Sequence, residues 1–182
     1  MFPVPLSKTV PRGFTLIELL TTMAVAAILL TIAMPALNGM LRSYRLTQGA
    51  NELVGAANLA RSEAIQRGSR VTLVPCNWQE SSSSCATGSQ WRDGWALIAG
   101  PAEGSTDLTV SSANLLRLFD PLAAEIAMSS PTQGYLSYTR DGRALNWDGF
   151  PQNQTVTLRA GDRSHAVIIN RLGRVRSQKG AG

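Results

Sequence analysis

The sequence predicts an α+β chain in which one long N-terminal helix precedes a set of antiparallel strands. Three observations carry this. Residues Leu19 to Leu41 run for 23 positions without a charge, long enough to span the hydrocarbon of a bilayer as a helix. Beyond them Ala50, Leu53, Val54, Ala57, Ala60, Ala64 and Ile65 recur at spacings of three and four, which is one face of an α-helix. From Val71 onward, short apolar and β-branched runs alternate with turn residues. No second helical pattern separates them, so there are no βαβ units and the sheets are expected to be antiparallel.

Composition bounds the class. The chain has 182 residues, 44% hydrophobic and 16% charged, which excludes wholesale disorder and suits one domain plus an accessory element. One histidine and two cysteines are too few for a structural zinc site, and no cofactor is expected. The net charge is +5, and its placement is more informative than its size.

The first 13 residues contain Lys8 and Arg12, no acid, and three prolines that oppose a helix. The charges before the apolar run keep this leader in the cytoplasm and send the remainder across. A cleaved secretory signal is the alternative, but its apolar region is 7–15 residues and carries no acid. Here Glu18 stands at the very start of the span, where an acid is costly and is retained for a role.

Gly13-Phe14-Thr15-Leu16-Ile17-Glu18-Leu19-Leu20 resembles the processing signature of type IV prepilins and type II secretion pseudopilins. The resemblance implies cleavage after Gly13 by prepilin peptidase and N-methylation of Phe14. It also implies that the apolar helix is kept and that Glu18 compensates the Phe14 ammonium of a neighbouring subunit during filament assembly. The expected organisation is therefore a leader at 1–13 that is removed, a transmembrane half-helix at 14–41, and a globular domain at 42–182 that includes the amphipathic half of the helix. The protein is expected to be single-pass in the inner membrane of a Gram-negative bacterium. Its globular domain would lie in the periplasm or at a pilus tip, with other major and minor pilins or pseudopilins as partners.

The helix is expected from about Phe14 to Arg67, with Arg61, Glu63 and Arg67 on its wetter side. Pro35 removes one backbone hydrogen bond, so a kink or loosened turn is expected there, and Gly39 adds freedom one turn later. Gly68 is a C-terminal stop. Strands are expected at 71–75, 95–99, 115–119, 124–128, 134–139, 154–159, 164–170 and 173–177, with turns at Asp141-Gly142 and Gly161-Asp162.

Cys76 and Cys85 bracket a polar loop, and in an exported domain they should form a structural disulfide. Catalysis has thin support, and the chain is not expected to be an enzyme. His165 lies in an apparent strand, with no nucleophile elbow or phosphate-cradling glycine loop elsewhere. Trp78, Trp91, Trp95 and Trp147 read as core or loop packing rather than a stacking platform.

The basic C-terminus stands apart. Residues 159–182 carry six Lys/Arg against one acid, for +5, while Phe14 to Leu158 sum to −2. Arg174 and Arg176 project to one face of an extended strand, about 6.5–7 Å apart, which is of the order of a nucleic-acid phosphate repeat. A charged edge strand guarding against aggregation explains the same residues. The segment Asn58-Leu59-Ala60-Arg61-Ser62-Glu63-Ala64-Ile65 with Arg67-Gly68, the cysteine pair, Gly94-Trp95 and the closing Leu172-Gly173-Arg174-Val175-Arg176 resemble the GspH/FimT family. That likeness implies a β-sandwich-like globular domain. Its FimT branch includes DNA-binding minor pilins of natural transformation, with a C-terminal Gly-Arg-x-Arg that Gly173, Arg174 and Arg176 match. Double-stranded DNA is thus an expected partner, through these residues with Arg171 and Lys179. The alternative is a structural minor pilin or a GspH-like secretion pseudopilin, which primes or caps a filament without binding DNA.

Overall fold

The computed structural model describes residues 13–77, 84–85, 90–101, 108–129, 134–146 and 148–180. Helix α1 spans Leu16–Arg67. Nine strands follow among the described residues: β1 (Val71–Asn77), β2 (Ser84–Cys85), β3 (Trp95–Ala99), β4 (Leu115–Phe119), β5 (Ala127–Met128), β6 (Leu136–Tyr138), β7 (Gln154–Ala160), β8 (Arg163–Ile169) and β9 (Val175–Lys179). The chain divides into two compact units, Met1–Met40 and Leu41–Gly182.

In the first unit the helix is uninterrupted through position 35, despite the proline. Its apolar side chains stand bare, with Leu16, Ile17, Met23, Ile28 and Ile32 all more than 60% exposed. A run this apolar and this exposed requires lipid or a neighbouring subunit around it. An 18-residue window of α1 reaches a mean hydropathy of 2.2, so the helix is long and apolar enough to cross a membrane.

In the second unit the helix buries a stripe of small residues, Ala50, Ala56, Ala57, Ala60 and Ala64, together with Leu46 and Leu53. Small side chains let the helix axis approach the strands closely, and Leu46 before the stripe and Leu53 within it supply the larger buried side chains. Ala56 and Leu46 join the expected face, whereas Ile65 is half exposed. It sits at the edge of the stripe and leans over Gly142 instead. The helix stops by backbone bonding: Ser69 N–H donates to Ala64 O and Gly68 N–H to Ile65 O. Gly68 adopts φ +61°, the left-handed residue that closes a Schellman cap at low steric cost.

One sheet has the order β2-β1-β3-β4, with β6 also pairing β1; the other has the order β5-β7-β8-β9. All the pairings are antiparallel. Both sheets share the core with α1: Leu73, Trp95 and Leu97 come from the first, and Val156, Leu158, Val167 and Ile169 from the second. This is the α+β arrangement expected from the sequence.

Strand boundaries moved at the sheet edges. The run expected at 124–128 pairs only at Ala127–Met128, because Ile126 N–H closes a turn on Ala123 O. The strand expected at 173–177 begins two residues later, since a turn uses residues 170–174, and it extends to Lys179. Gln178 and Lys179, beyond the expected end, are therefore strand. The two-residue β2 was not expected. It exists because Cys85 is drawn onto Cys76.

Candidate functional site

The processing signature meets the start of α1. Gly13 and Phe14 precede the helix and are exposed. Thr15 caps it, since its Oγ1 accepts from the Glu18 N–H at 3.3 Å. Thr15 and Glu18 therefore stand in the Thr-x-x-Glu spacing of a capping box, with the acid in the first turn, where the helix dipole favours negative charge. This local use of Glu18 was legible in the spacing and was overlooked beside the signature.

At the far end of the chain the β8–β9 turn is built around Asn170. Its Oδ1 accepts from the N–H groups of Leu172 (3.1 Å) and Arg174 (2.9 Å). Gly173 N–H donates to Asn170 O, and Asn170 N–H to Arg174 O. Gly173 holds φ +74°, and a Cβ built there would lie 2.1 Å from Gly142 O. Glycine is thus demanded twice, by backbone sign and by space. The turn at 139–144 is locked to it: Ala144 N–H donates to Arg171 O, and Arg61 Nε donates to Gly142 O at 3.0 Å. Arg171 N–H donates to Asn153 Oδ1 at 2.9 Å.

This packing places Arg140 and Arg143 on the turn beside Arg171 and Arg174. The charge run could not reveal that, because 30 positions separate them in sequence. Arg143 reaches Asp141 at 3.5 Å in the open. A hydrogen bond from the Thr139 hydroxyl, with smaller help from backbone N–H groups and Arg143, holds the Asp141 carboxyl below its usual range. Burial pushes the Tyr138 phenol upward, with Arg61 opposing.

Strand β9 is a sheet edge. Register alternation puts Arg176 and Gln178 on its outer face and Val175, Ser177 and Lys179 on the side that faces the core. Val175 packs against that core. Arg174 belongs to the turn that precedes the strand rather than to the strand expected at 173–177, and it and Arg176 are both exposed. Lys179 lies on the other side, in a cleft with Ser43, Thr47 and His165. Arg159 of β7 joins the outer face, two strands over and on the order of 16 Å from Arg176 by strand spacing. Arg45, Arg67, Arg92 and Arg143 contact carboxylates, whereas no salt bridge among the described residues engages Arg171, Arg174 or Arg176.

The remaining candidates resolve into structure. Cys76 and Cys85 are joined in a disulfide. Trp91 and Trp95 are fully buried, with Trp95 stacked on Phe119 at 5.7 Å; Trp78 and Trp147 lie outside the described residues. His165 lies in β8, as expected, and is only 6% exposed.

A long apolar helix behind a prepilin signature, followed in the chain by a domain of two antiparallel sheets, defines a type IV pilin-like protein. A model of the family described as type II transport protein GspH matches residues 49–173, and one for the prokaryotic N-terminal methylation motif matches residues 10–34. The chain belongs to the GspH family. The type IV minor pilin FimU of Pseudomonas aeruginosa (strain PAO1) shares the fold in two crystal forms. One has a TM-score of 0.54 and 20% identity over 75% of this chain and 90% of that one. The other has 0.51 and 19%, over 73% and 92%. No curated protein sequence matches the chain. Membership carries the coarse role, a minor pilin or pseudopilin of a structural protein family, and the N-terminal apolar helix with its motif is that of a membrane-anchored pilin. The chain is processed by prepilin peptidase and associates with other pilins.

Proposed function

We propose that this minor pilin binds double-stranded DNA without sequence specificity, through Arg174 at the end of the β8–β9 turn and Arg176 on the outer face of β9, for DNA uptake in natural transformation. The observation that carries the reading is the pair of exposed arginines at the end of the turn and on the outer face of β9, beside a Gly173 position that admits only glycine, with no carboxylate among the described residues bridged to either. Arg171 on the turn and Arg140 and Arg143 on the adjoining turn widen the positive surface. Such contacts go to phosphates, which position a protein and read no bases. Affinity is then weak, with Kd about micromolar or worse at physiological salt. Several subunits acting on one long DNA make up for it.

The same proposal places cleavage between Gly13 and Phe14, N-methylation at Phe14, and Glu18 in filament assembly. The globular domain is placed in the periplasm or at the tip of a pilus. A gel shift with the fragment that begins after Ala36 tests the binding. Retardation of unrelated duplexes at equal concentrations is expected; no retardation at low salt overturns it.

A second reading is favoured by the family description itself, which names a type II transport protein. In it the chain is a structural minor pilin or secretion pseudopilin that primes or caps a filament, and the arginines only guard the β9 edge. Absence of DNA binding together with loss of filament assembly on deletion supports this reading.

A further inference from the structure

The outer face of the second sheet carries a cation at each of two opposite corners. Alternation along β7 and β8 puts Thr155, Thr157 and Arg159 on that face together with Ser164, Ala166 and Ile168. Arg159 lies across from Ser164, and Arg176 lies across from Ile168. The two arginines are therefore two strands apart and four positions apart along β8. That places their backbones about 16 Å from each other.

Three features separate this face from an ordinary solvated one. Arg159 and Arg176 are both exposed, and no salt bridge among the described residues engages either. No paired position of β7, β8 or β9 on this face is an acid, whereas solvated surfaces intersperse both signs. Asp162 lies past Arg159 in the β7–β8 turn, outside the ladder. The floor between the corners is also low. Ala166 and Thr157 stand side by side in its middle row. At the β9 edge Gly180, whose N–H donates to Ser164 O, adds no side chain.

We infer that a DNA duplex lies across this face, from the Arg171–Arg174 turn and Arg176 to Arg159, with Arg159 as a further phosphate contact at the far corner. Small side chains on the floor let a sugar–phosphate backbone come down onto the sheet, where the Thr157 and Ser164 hydroxyls reach phosphate oxygens as donors. Each strand of a duplex carries a phosphate about every 3.4 Å of its axis, so the corners span about five base pairs. The inference rests on the DNA-binding reading above and deepens it: contact at the β9 edge alone would hold the duplex by one rim, and the face gives it a track.

Fluorescence anisotropy of a labelled duplex, read at several salt concentrations with the full chain in uncharged maltoside micelles, tests the track. Arg159→Gln should weaken binding about threefold or more and lower the slope of log K against log salt by about 0.9, the value of one phosphate. Ala166→Glu puts a carboxylate in the middle of the track. It should weaken binding about tenfold, and clearly more than Ser177→Glu, which makes the same charge change on the core-directed side of β9. Arg159→Gln replaces one exposed side chain and carries the test if Ala166→Glu does not fold. Parent affinity and slope in Arg159→Gln, or equal losses in the two glutamate variants, overturn the inference and leave the reading based on Arg174 and Arg176 standing. That reading fails separately, and the inference with it, if Arg174→Gln/Arg176→Gln binds as the parent does. Intact DNA binding in Arg159→Gln and Ala166→Glu, with both variants lost from sheared filament fractions, assigns the face to a neighbouring subunit and also overturns the inference.

Discussion

Gly173 lies so close to Gly142 that a methyl group on its Cα would stand 2.1 Å from the Gly142 carbonyl oxygen. The two residues belong to turns 31 positions apart, and their contact presses the Arg171–Arg174 turn onto the Arg140–Arg143 turn. The glycine of Gly-Arg-x-Arg is therefore a packing residue that fixes where the arginines stand.

Gly173→Ala is expected to lower stability. The left-handed backbone alone costs about 1–2 kcal/mol, and relief of the clash separates the two turns as well. Urea unfolding of the fragment beginning after Ala36 should show a lower midpoint, and DNA affinity should fall although no charge has changed. Unchanged stability and binding would show that the turns are not coupled.

The face on which each cation sits orders its effect. Arg176→Gln should weaken DNA binding severalfold and Arg143→Gln by a smaller factor, while Lys179→Gln should leave it nearly unchanged. Fluorescence anisotropy with a labelled duplex ranks the three. If Lys179→Gln matches Arg176→Gln, the division of β9 into two faces does not govern the contact.

Asp141 makes the lower turn sensitive to acid. Its folded pKa lies below the ordinary 3.8, chiefly because of the Thr139 hydroxyl. The group thus contributes stability that is present above 3.8 and is lost as pH falls through the lower folded value. Amide exchange of Gly142 and Arg143, corrected for intrinsic rates, should quicken below about pH 4 in the parent protein. In Asp141→Asn that dependence should disappear.

At the other end, mature protein should begin at Phe14 on N-terminal sequencing. Glu18→Ala should still be inserted and cleaved but be poorly recruited into sheared filament fractions. Thr15→Ala separates the two uses of this region: it removes the cap, at about 1 kcal/mol of helix stability, and keeps the acid. If recruitment falls equally in both variants, helix capping rather than charge compensation explains Glu18.

Much of this molecule was readable before its fold was known, for identifiable reasons. The α1 stripe is periodic, the Gly68 stop follows a local backbone rule, and the strands at 95–99 and 115–119 are bounded by strong turn residues. What escaped depends on distant partners. Ile65 fits the helical period, yet it is exposed because Gly142, 77 positions away, is its neighbour. β2 exists through the Cys85–Cys76 link rather than through strand propensity. Arg171, Arg174, Arg176 and Lys179 form one cluster in sequence, but strand alternation sends Lys179 to the opposite face. The Arg140–Arg143 contribution needed the contact between two turns, which no local pattern encodes. Asn170, whose side chain ties the arginine turn together, carried the ordinary signal of a turn-forming asparagine and was passed over beside its charged neighbours.

The central claim is that Arg174 and Arg176 neutralise DNA phosphates, and the salt dependence of affinity measures this most directly. With about four phosphate contacts the parent fragment should give a slope of log K against log salt near −3.6, at about −0.9 per contact. Arg174→Gln/Arg176→Gln should flatten it by about two units and remove most binding while the unfolding midpoint stays in place. Lysine at both positions should restore most of the slope, since a phosphate contact needs charge before it needs a planar fork. A double glutamine variant that binds duplex DNA with the parent's affinity and slope would contradict the account and leave β9 as a charged edge strand of a structural pilin.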